Sequence, residues 1–138
     1  MHRPTANKIV AESKHGQHPL VGVQRAVYVT KDEADARQAA EEARWNMRVT
    51  LSLRNNYEQV DKGRAIPVPG KTEPTIDELL EEYLVIGTPD TVIRQVKRLQ
   101  QVVGISHFNC SFWIGDMDQA RVLRSMELFS REVMPALA

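Results

Sequence analysis

"HFNCSFWIGDMD", residues 107–118, predicts a β-strand that stops at Gly115 and leads directly into a helix. Successive side chains of a strand point to opposite faces. One face of this strand is apolar and is expected to belong to the core: Phe108, Cys110, Phe112 and Ile114. The other face is mixed in character: His107, Asn109, Ser111 and Trp113. Such a face contacts either water or a bound molecule.

A second strand is predicted at residues 21–29, VGVQRAVYV, because β-branched residues dominate and no breaker follows Gly22. Its alternation is imperfect, since Arg25 shares a face with Val23 and Val27. That pattern is typical of a parallel strand covered on both sides rather than of an exposed antiparallel edge.

The segment after this strand predicts a long helix. Residues 30–33, TKDE, match a capping box, in which the Thr30 hydroxyl accepts from the Glu33 amide and the Glu33 carboxylate reaches back. The helix is expected to fade near Asn55. Its apolar stripe is narrow and dominated by alanine, which would let another helix approach closely: Ala36, Ala40, Ala43, Met47 and Leu51.

Residues 55–74 predict a long loop, because they hold three of the seven prolines and two of the seven glycines and show no periodicity. Loops of this length inside compact domains are usually functional or mobile. Residues 75–78, TIDE, then repeat the capping-box pattern and start a short helix.

The clearest helix signal covers residues 89–103. Thr88 is the predicted N-cap, Pro89 takes the first helical position, and Gly104 is the predicted stop. The buried stripe is expected to consist of aliphatic residues: Val92, Ile93, Val96, Leu99, Val102 and Val103. The helix therefore separates the two strands.

A last helix is capped by Asp116 or Asp118 and is ended by Pro135. Its inward residues are expected to be Val122, Met126, Phe129 and Val133. A short helix at residues 5–13 would precede the first strand. Strands separated by helices predict parallel pairing and right-handed crossovers. Because two strands are too few for a self-sufficient sheet, the pattern indicates the end of a larger α/β protein.

Composition excludes several classes of protein. The chain has 138 residues, 42% of them hydrophobic and 26% charged, as expected for one ordinary globular domain. Lys plus Arg equals Asp plus Glu at 18 each, so no excess positive charge indicates nucleic acid or an anionic membrane as a partner. No apolar run approaches the ~20 residues that span a bilayer, and the first residues do not resemble a secretory signal.

Cysteine and histidine usage points to neither disulfides nor metals. Cys110 is the single cysteine, so no intrachain disulfide can form, and a reducing cytoplasm is the expected compartment. The four histidines match no metal-ligand spacing, so no metal site is predicted. Phosphate-binding and nucleophile motifs are missing as well, and no catalytic residue is assigned.

The sequence of about the last fifty residues resembles a known family. Residues 85–137, VIGTPDTVIRQVKRLQQVVGISHFNCSFWIGDMDQARVLRSMELFSREVMPAL, are similar to the carboxy-terminal end of bacterial luciferase-like, flavin-dependent monooxygenases. In that family a GTP or GSP helix start precedes the last barrel strand. Residues 21–37, VGVQRAVYVTKDEADAR, resemble the family's seventh strand and its continuation. The resemblance spans nearly the whole chain but only about the last third of a typical member.

The resemblance implies a partial (β/α)8 barrel, with residues 1–138 as a single domain that forms its carboxy-terminal part. Residues 21–29 would be strand seven and residues 107–114 strand eight. Residues 31–87, including the long loop 55–74, would be an insertion on the active-site face. The loop would then be a lid or wall over the substrate.

Four residues become candidates for binding a cofactor or substrate. In a barrel, Asn109, Ser111 and Trp113 would point inward, and Trp113 would lie nearest the carboxyl end, against a flavin ring or substrate. The alternative is that these side chains only bind their neighbours. Thr88 opens a helix whose free amides could hold a phosphate, although capping explains Thr88 equally well.

In the complete family member, reduced FMN or a related deazaflavin would react with O2 and oxidise an organic substrate. The isolated chain is not expected to bind flavin or to turn over, because six barrel strands are missing. It is expected to form a homo-oligomer or to bind the missing amino-terminal half. The alternative is a non-catalytic remnant or interaction module, which dimerises or complements a separate amino-terminal half.

Overall fold

The computed structural model describes residues 20–54, 59–62, 64–66 and 73–137. The strands are β1 (Gly22–Val29), β2 (Gln59–Asp61), β3 (Arg64–Ile66), β4 (Val85–Gly87) and β5 (His107–Ser111). The helices are α1 (Glu33–Arg54), α2 (Ile76–Glu78 with the π turn Leu79–Tyr83), α3 (Pro89–Val103) and α4 (Gln119–Leu128, the π turn Phe129–Val133 and Met134–Leu137). The predicted helix at residues 5–13 lies outside the described residues.

The centre of the fold is a three-stranded parallel sheet in the order β4-β1-β5. β1 and β5 pair in register from Gly22 with His107 to Ala26 with Ser111. The predicted parallel pairing of these strands is therefore confirmed, although β5 ends at Ser111 rather than at residue 114.

The prediction of only two strands is wrong. β4 pairs with the carboxyl half of β1, Val27 with Val85 and Val29 with Gly87. Its three residues lie between a helix and the cap of the next helix, so they are too few to give a periodic signal. β4 therefore has to be recognised from its tertiary position.

Helices cover both faces of the sheet at the carboxyl ends of the strands. On one face, Val27, Val29 and Val85 pack against residues of α3 and α4: Val92, Val96, Phe129 and Val133. On the other face, Tyr28 and Ile86 pack against residues of α1 and α2: Ala36, Ala39, Ala40, Ala43 and Leu79. The mixed pattern of β1 thus reflects burial on both sides, and the alanine stripe brings α1 close to the sheet.

Three predicted core positions differ from the structure. Ile114 packs with the α1 side, although the alternation placed it with Phe108 and Cys110, because strand pairing ends before it. Val102 is 59% exposed and Met126 is 44% exposed, so both lie outside the buried stripes.

Ser125 explains the rotation of α4 that leaves Met126 exposed. The Ser125 side chain is buried, and its Oγ accepts a 2.7 Å hydrogen bond from the amide of Val29. A buried backbone N–H without a partner is costly, so this contact turns Ser125 toward the sheet.

Two local predictions need correction. The region 55–74 contains an antiparallel pair, β2 with β3, in which Asp61 pairs with Arg64 and Lys62, directly after β2, has φ +48°. The start of α1 is not a Thr30–Glu33 capping box. Thr30 Oγ1 accepts from the Asp32 amide, and Asp32 Oδ1 accepts from the Ala34 amide, so the aspartate caps the helix.

The predicted end of α4 at Pro135 is wrong: the helix continues to Leu137, because Pro135 falls in the first turn after the π turn, where its missing N–H is tolerated. The other caps agree with prediction, and Asp118 caps α4 by accepting from the amides of Ala120 and Arg121.

Thr75 and Glu78 form both arms of a capping box at the start of α2. Thr88 caps α3 by accepting from the Thr91 amide, and Gly104 ends that helix with φ +72°. No helix of the described part of the chain is long and apolar enough to cross a membrane.

Replacing Thr88 with alanine should lower the free energy of unfolding by about 1 kcal/mol, because an amide of the first turn of α3 loses its acceptor. Thr88→Ser should keep most of the stability, because it keeps the hydroxyl. Thr50→Ala, at an exposed position near the carboxyl end of α1, is the matched control and should change stability by less than ~0.5 kcal/mol. Urea unfolding measures all three; equal stability of the Thr88→Ala variant and the parent would contradict the capping role.

Candidate functional site

A hollow of about 220 Å³ lies on the face of the sheet that α1 partly covers. The strands contribute Gln24 from β1 and Ser111 from β5, and Trp113 follows β5 along the chain. α1 contributes Asn46 and Met47 to the opposite wall. The hollow therefore forms where α1 leaves the sheet and the strand faces become open.

The lining of this hollow suits a flat, partly polar ligand. The Trp113 side chain is 59% exposed and presents an aromatic surface. Gln24, Asn46 and Ser111 supply amide and hydroxyl groups that fix the orientation of a ligand, while Met47 is apolar. Complete ligand pockets usually enclose ~300–1,000 Å³, so this hollow can hold only part of a small molecule.

The four residues predicted as a binding site do not form one group. Ser111 and Trp113 line the hollow together. Asn109 is exposed on the same face of β5, nearer the amino end of the strand, and does not line it. Their role in binding stays a prediction.

Thr88 lies in a different place, beside a second hollow of about 210 Å³. Asp32 and Glu33 line that hollow with Thr88, and Arg37, which also lines it, is paired with Asp77 at 2.7 Å. Two carboxylates disfavour a phosphate there, and Thr88 caps α3. A role for Thr88 in binding a cofactor also stays a prediction.

The sequence prediction missed Gln24, Asn46 and Met47. Gln24 could have been noticed, because it is a polar residue on the same face of the strand as Ala26 and Tyr28. Asn46 and Met47 join the site only through the docking of α1 on the sheet. No local pattern specifies that docking.

An ionic cluster joins α1 to α4 next to the sheet. The Arg121 guanidinium donates from Nη2 to Asp35 Oδ1 at 2.8 Å and from Nη1 to Glu42 Oε1 at 2.7 Å. The Tyr28 hydroxyl donates to Asp35 Oδ2 at 2.7 Å, and the guanidinium carbon lies 5.3 Å from the Tyr28 ring centroid. The side chains of Arg121, Asp35 and Glu42 are only 15%, 27% and 22% exposed.

The pKa shifts in the cluster keep Asp35 and Arg121 charged and Tyr28 protonated, so the cluster is not suited to proton transfer. Burial works against ionisation of Asp35, but hydrogen bonds from Tyr28, Thr30 and Arg121 hold its pKa below the ordinary value. Burial and the hydrogen bond to Asp35 raise the pKa of Tyr28. Burial opposes the charge of Arg121, yet hydrogen bonds with Glu42, Tyr28 and Asp35 outweigh it and raise the guanidinium pKa. The cluster therefore holds α1 and α4 together.

Two other kinds of site find no support among the described residues. Burial raises the pKa of the Cys110 thiol, which therefore stays protonated and weakly nucleophilic. The described part of the chain brings together no group of three or more His, Cys, Asp or Glu side chains able to hold a metal ion.

Comparison with known proteins shows that the fold of this chain is similar to part of a larger protein of known structure. No protein-family profile matches it. The chain is 23% identical over 127 residues to the uncharacterized protein y4vJ of Sinorhizobium fredii (strain NBRC 101917 / NGR234), with 92% of this chain and 36% of that protein covered. The crystal structure of monooxygenase RslO1 from Streptomyces bottropensis superposes with a TM-score of 0.62 and 19% identity, over 85% of this chain and 31% of that chain. The chain thus spans about a third of each.

Acidification should remove the stabilising contribution of Asp35. Because the folded-state pKa of Asp35 is depressed, its contribution is fully present above its ordinary value of 3.8 and is lost as pH falls through the folded-state value. The stability difference between the parent and Asp35→Asn should therefore shrink below about pH 4 in urea unfolding. In a Tyr28→Phe background the folded-state pKa of Asp35 is depressed less, so the contribution should be smaller and its loss should be complete at a higher pH. A difference independent of pH would contradict this electrostatic role.

Proposed function

We propose that this chain is the carboxy-terminal part of a flavin-dependent monooxygenase of the luciferase-like type, and that the hollow receives the edge of the flavin ring. One observation carries the proposal: Trp113 stands exposed in a hollow with amide and hydroxyl groups, just past the carboxyl end of a parallel strand. The fold that the chain shares with part of a monooxygenase supports it.

The proposal assigns β1 and β5 to the last two strands of a (β/α)8 barrel. Adjacent parallel strands joined through helices are the repeating unit of that architecture, and its active sites lie at the carboxyl ends of the strands. Trp113 and Ile114 follow β5 at that end, and α1 follows β1 there. Of the predicted insertion 31–87, the part before β4 would then form a wall of the active site, because β4 itself pairs with β1 in the sheet.

The residues of the hollow fit a flavin ring in part. The Trp113 indole can stack against an isoalloxazine face, and the amides of Gln24 and Asn46 can bind the polar edge of the ring. For the phosphate of FMN, the lining offers one cation, Arg25. The rest of the phosphate site would have to come from outside the described residues. The lining does not discriminate FMN from a deazaflavin.

When bound, the reduced flavin supplies the reaction with O2 and the transfer of oxygen to an organic substrate. The residues of this chain would orient the ring and exclude water from one of its faces. Trp113 would cover that face, Met47 would cover the apolar rim, and Gln24 would fix the rotation of the ring. No side chain of the hollow is given a role as acid or base.

A second candidate function is a non-catalytic interaction module. Among the described residues, β5 is the outermost strand of the sheet and no strand pairs with its outer edge, which can therefore accept another strand. On the other side β4 covers the last three residues of β1, and no other described strand pairs with the amino half of β1 there. These edges suit a partner chain whether or not flavin binds.

Titration with FMN, followed by nuclear magnetic resonance, tests the flavin proposal. The chain has two tryptophans, so the indole N–H groups give two signals, which Trp45→Phe and Trp113→Phe variants assign. Because six barrel strands would be missing, the isolated chain should not retain flavin at ordinary concentrations. Since the hollow covers a small part of the ligand, contact with FMN should appear only with a dissociation constant on the order of a millimolar. The Trp113 signal should shift and saturate, and riboflavin should reproduce the shift because the ring makes the contact.

Trp45 provides the internal control, because it is 44% exposed on α1 but does not line the hollow. Its signal should stay in place. A stationary Trp113 signal would contradict the flavin site, and equal shifts of both signals would show unspecific stacking on exposed rings. A dimer that is indifferent to flavin in size-exclusion chromatography would instead favour the interaction module.

A further inference from the structure

We infer that Arg121 is a positioning residue that fixes the separation of the two walls of the hollow. One wall is α1, which contributes Asn46 and Met47, and the other is the segment after β5, which contributes Trp113. Arg121 lines neither wall and acts through Glu42. Its effect on ligand binding rests on the proposed function, whereas its effect on the walls does not.

Glu42 connects the two walls, because it lies on α1 and contacts the segment that follows Trp113. Its side chain accepts the 2.7 Å hydrogen bond from Arg121, and the next residue along α1, Ala43, lines the hollow. Its backbone carbonyl lies against Gly115, where an added Cβ would be 3.2 Å from that oxygen. Gly115 comes two residues after Trp113 and has φ +57°, a conformation that other residues rarely adopt. The position of Glu42 therefore sets the distance between α1 and the Trp113 segment.

Arg121 is the group that keeps Glu42 in this place. Glu42 Oε2 is buried and has no hydrogen-bond partner among the described residues, while Oε1 accepts from Arg121 at 2.7 Å and from Gln38 Nε2 at 3.2 Å. Gln38 is neutral and lies on the same helix as Glu42, so the guanidinium supplies the compensating charge and the link to α4. Without Arg121, the charge would be left partly buried and uncompensated, and it would move toward water.

Asp35 would respond differently to the loss of Arg121. It keeps the hydrogen bond from the Tyr28 hydroxyl, so the first turn of α1 would stay on the sheet. The helix would then pivot about its start, and the displacement would be greatest around Glu42 and beyond, where Asn46 and Met47 line the hollow. The expected result is a wider hollow rather than general unfolding.

Fluorescence of Trp113 tests the inference without any ligand. In a Trp45→Phe background, Trp113 is the only tryptophan. Arg121→Met should raise the acrylamide quenching constant of Trp113 by at least about 1.5-fold, whereas Arg121→Lys should restore part of the parent value by pairing with one carboxylate. Arg131→Met is the control: it removes another arginine of α4, whose side chain is 58% exposed in its pairs with Glu127 and Glu132, against 15% for Arg121, and it should change nothing.

Glu42→Ala provides a second variant that leaves the Arg121–Asp35 pair intact, so the inference can be tested even if Arg121→Met fails to fold. Because it removes the link between α4 and the middle of α1 without leaving a buried charge, it should raise the quenching constant in the same direction but by less. Glu41→Ala, at the exposed neighbouring position, should not raise it. Circular dichroism confirms that each variant is folded. Parent-like quenching in folded Arg121→Met or in Glu42→Ala would overturn the inference.

FMN titration of the same variants separates this inference from the proposed function. If both hold, Arg121→Met should weaken FMN binding several-fold while Arg131→Met does not. If quenching changes but the parent shows no FMN binding, the flavin proposal fails and the positioning role stands. If the parent binds FMN and Arg121→Met leaves both quenching and binding unchanged, the positioning role fails alone.

Discussion

The parallel pairing of β1 with β5 is the constraint on which the rest of the structure depends. Parallel neighbours begin at the same end of a sheet, so the chain must return from the end of β1 to the start of β5. It returns through α1, the β2–β3 hairpin, α2, β4 and α3. This path places α1 and α2 on one face and α3 on the other, where α4 joins it. The hollow opens on the face covered by α1 and α2, at the point where α1 no longer covers the strands.

Features set by local chemistry could be predicted from the sequence. The caps at Thr75 and Thr88, the stop at Gly104 and the alternation of β1 each depend on a few adjacent residues. Features set by tertiary contacts could not be predicted. β4 has only three residues and is a strand only through its hydrogen bonds with β1. The orientation of α4 depends on Ser125, which meets a backbone amide 96 positions away in the sequence.

The candidate site likewise contains residues that local sequence indicates and residues that only tertiary contacts bring together. Ser111 and Trp113 became candidates because the family resemblance turned the mixed face of a predicted strand toward the inside of a barrel, and both line the hollow. The opposite wall comes from α1. The alanine stripe of this helix predicts close packing, but it does not identify the surface against which the helix packs. Arg121 gave no local signal, because its partners Asp35 and Glu42 lie on another helix, 86 and 79 positions away. Charge pairs of this kind become visible only once the helices are docked.

A disulfide placed between the amino ends of β1 and β5 tests the central pairing most directly. A Cβ at Gly22 would lie 3.8 Å from the Cβ of His107, close to the mean separation in disulfides. With Cys110 replaced by serine, Gly22→Cys with His107→Cys should form an intrachain disulfide, whereas Ala26→Cys with His107→Cys, four positions out of register, should not. Cross-linking of the second pair but not the first would mean that the strands run in opposite directions, and would contradict the account.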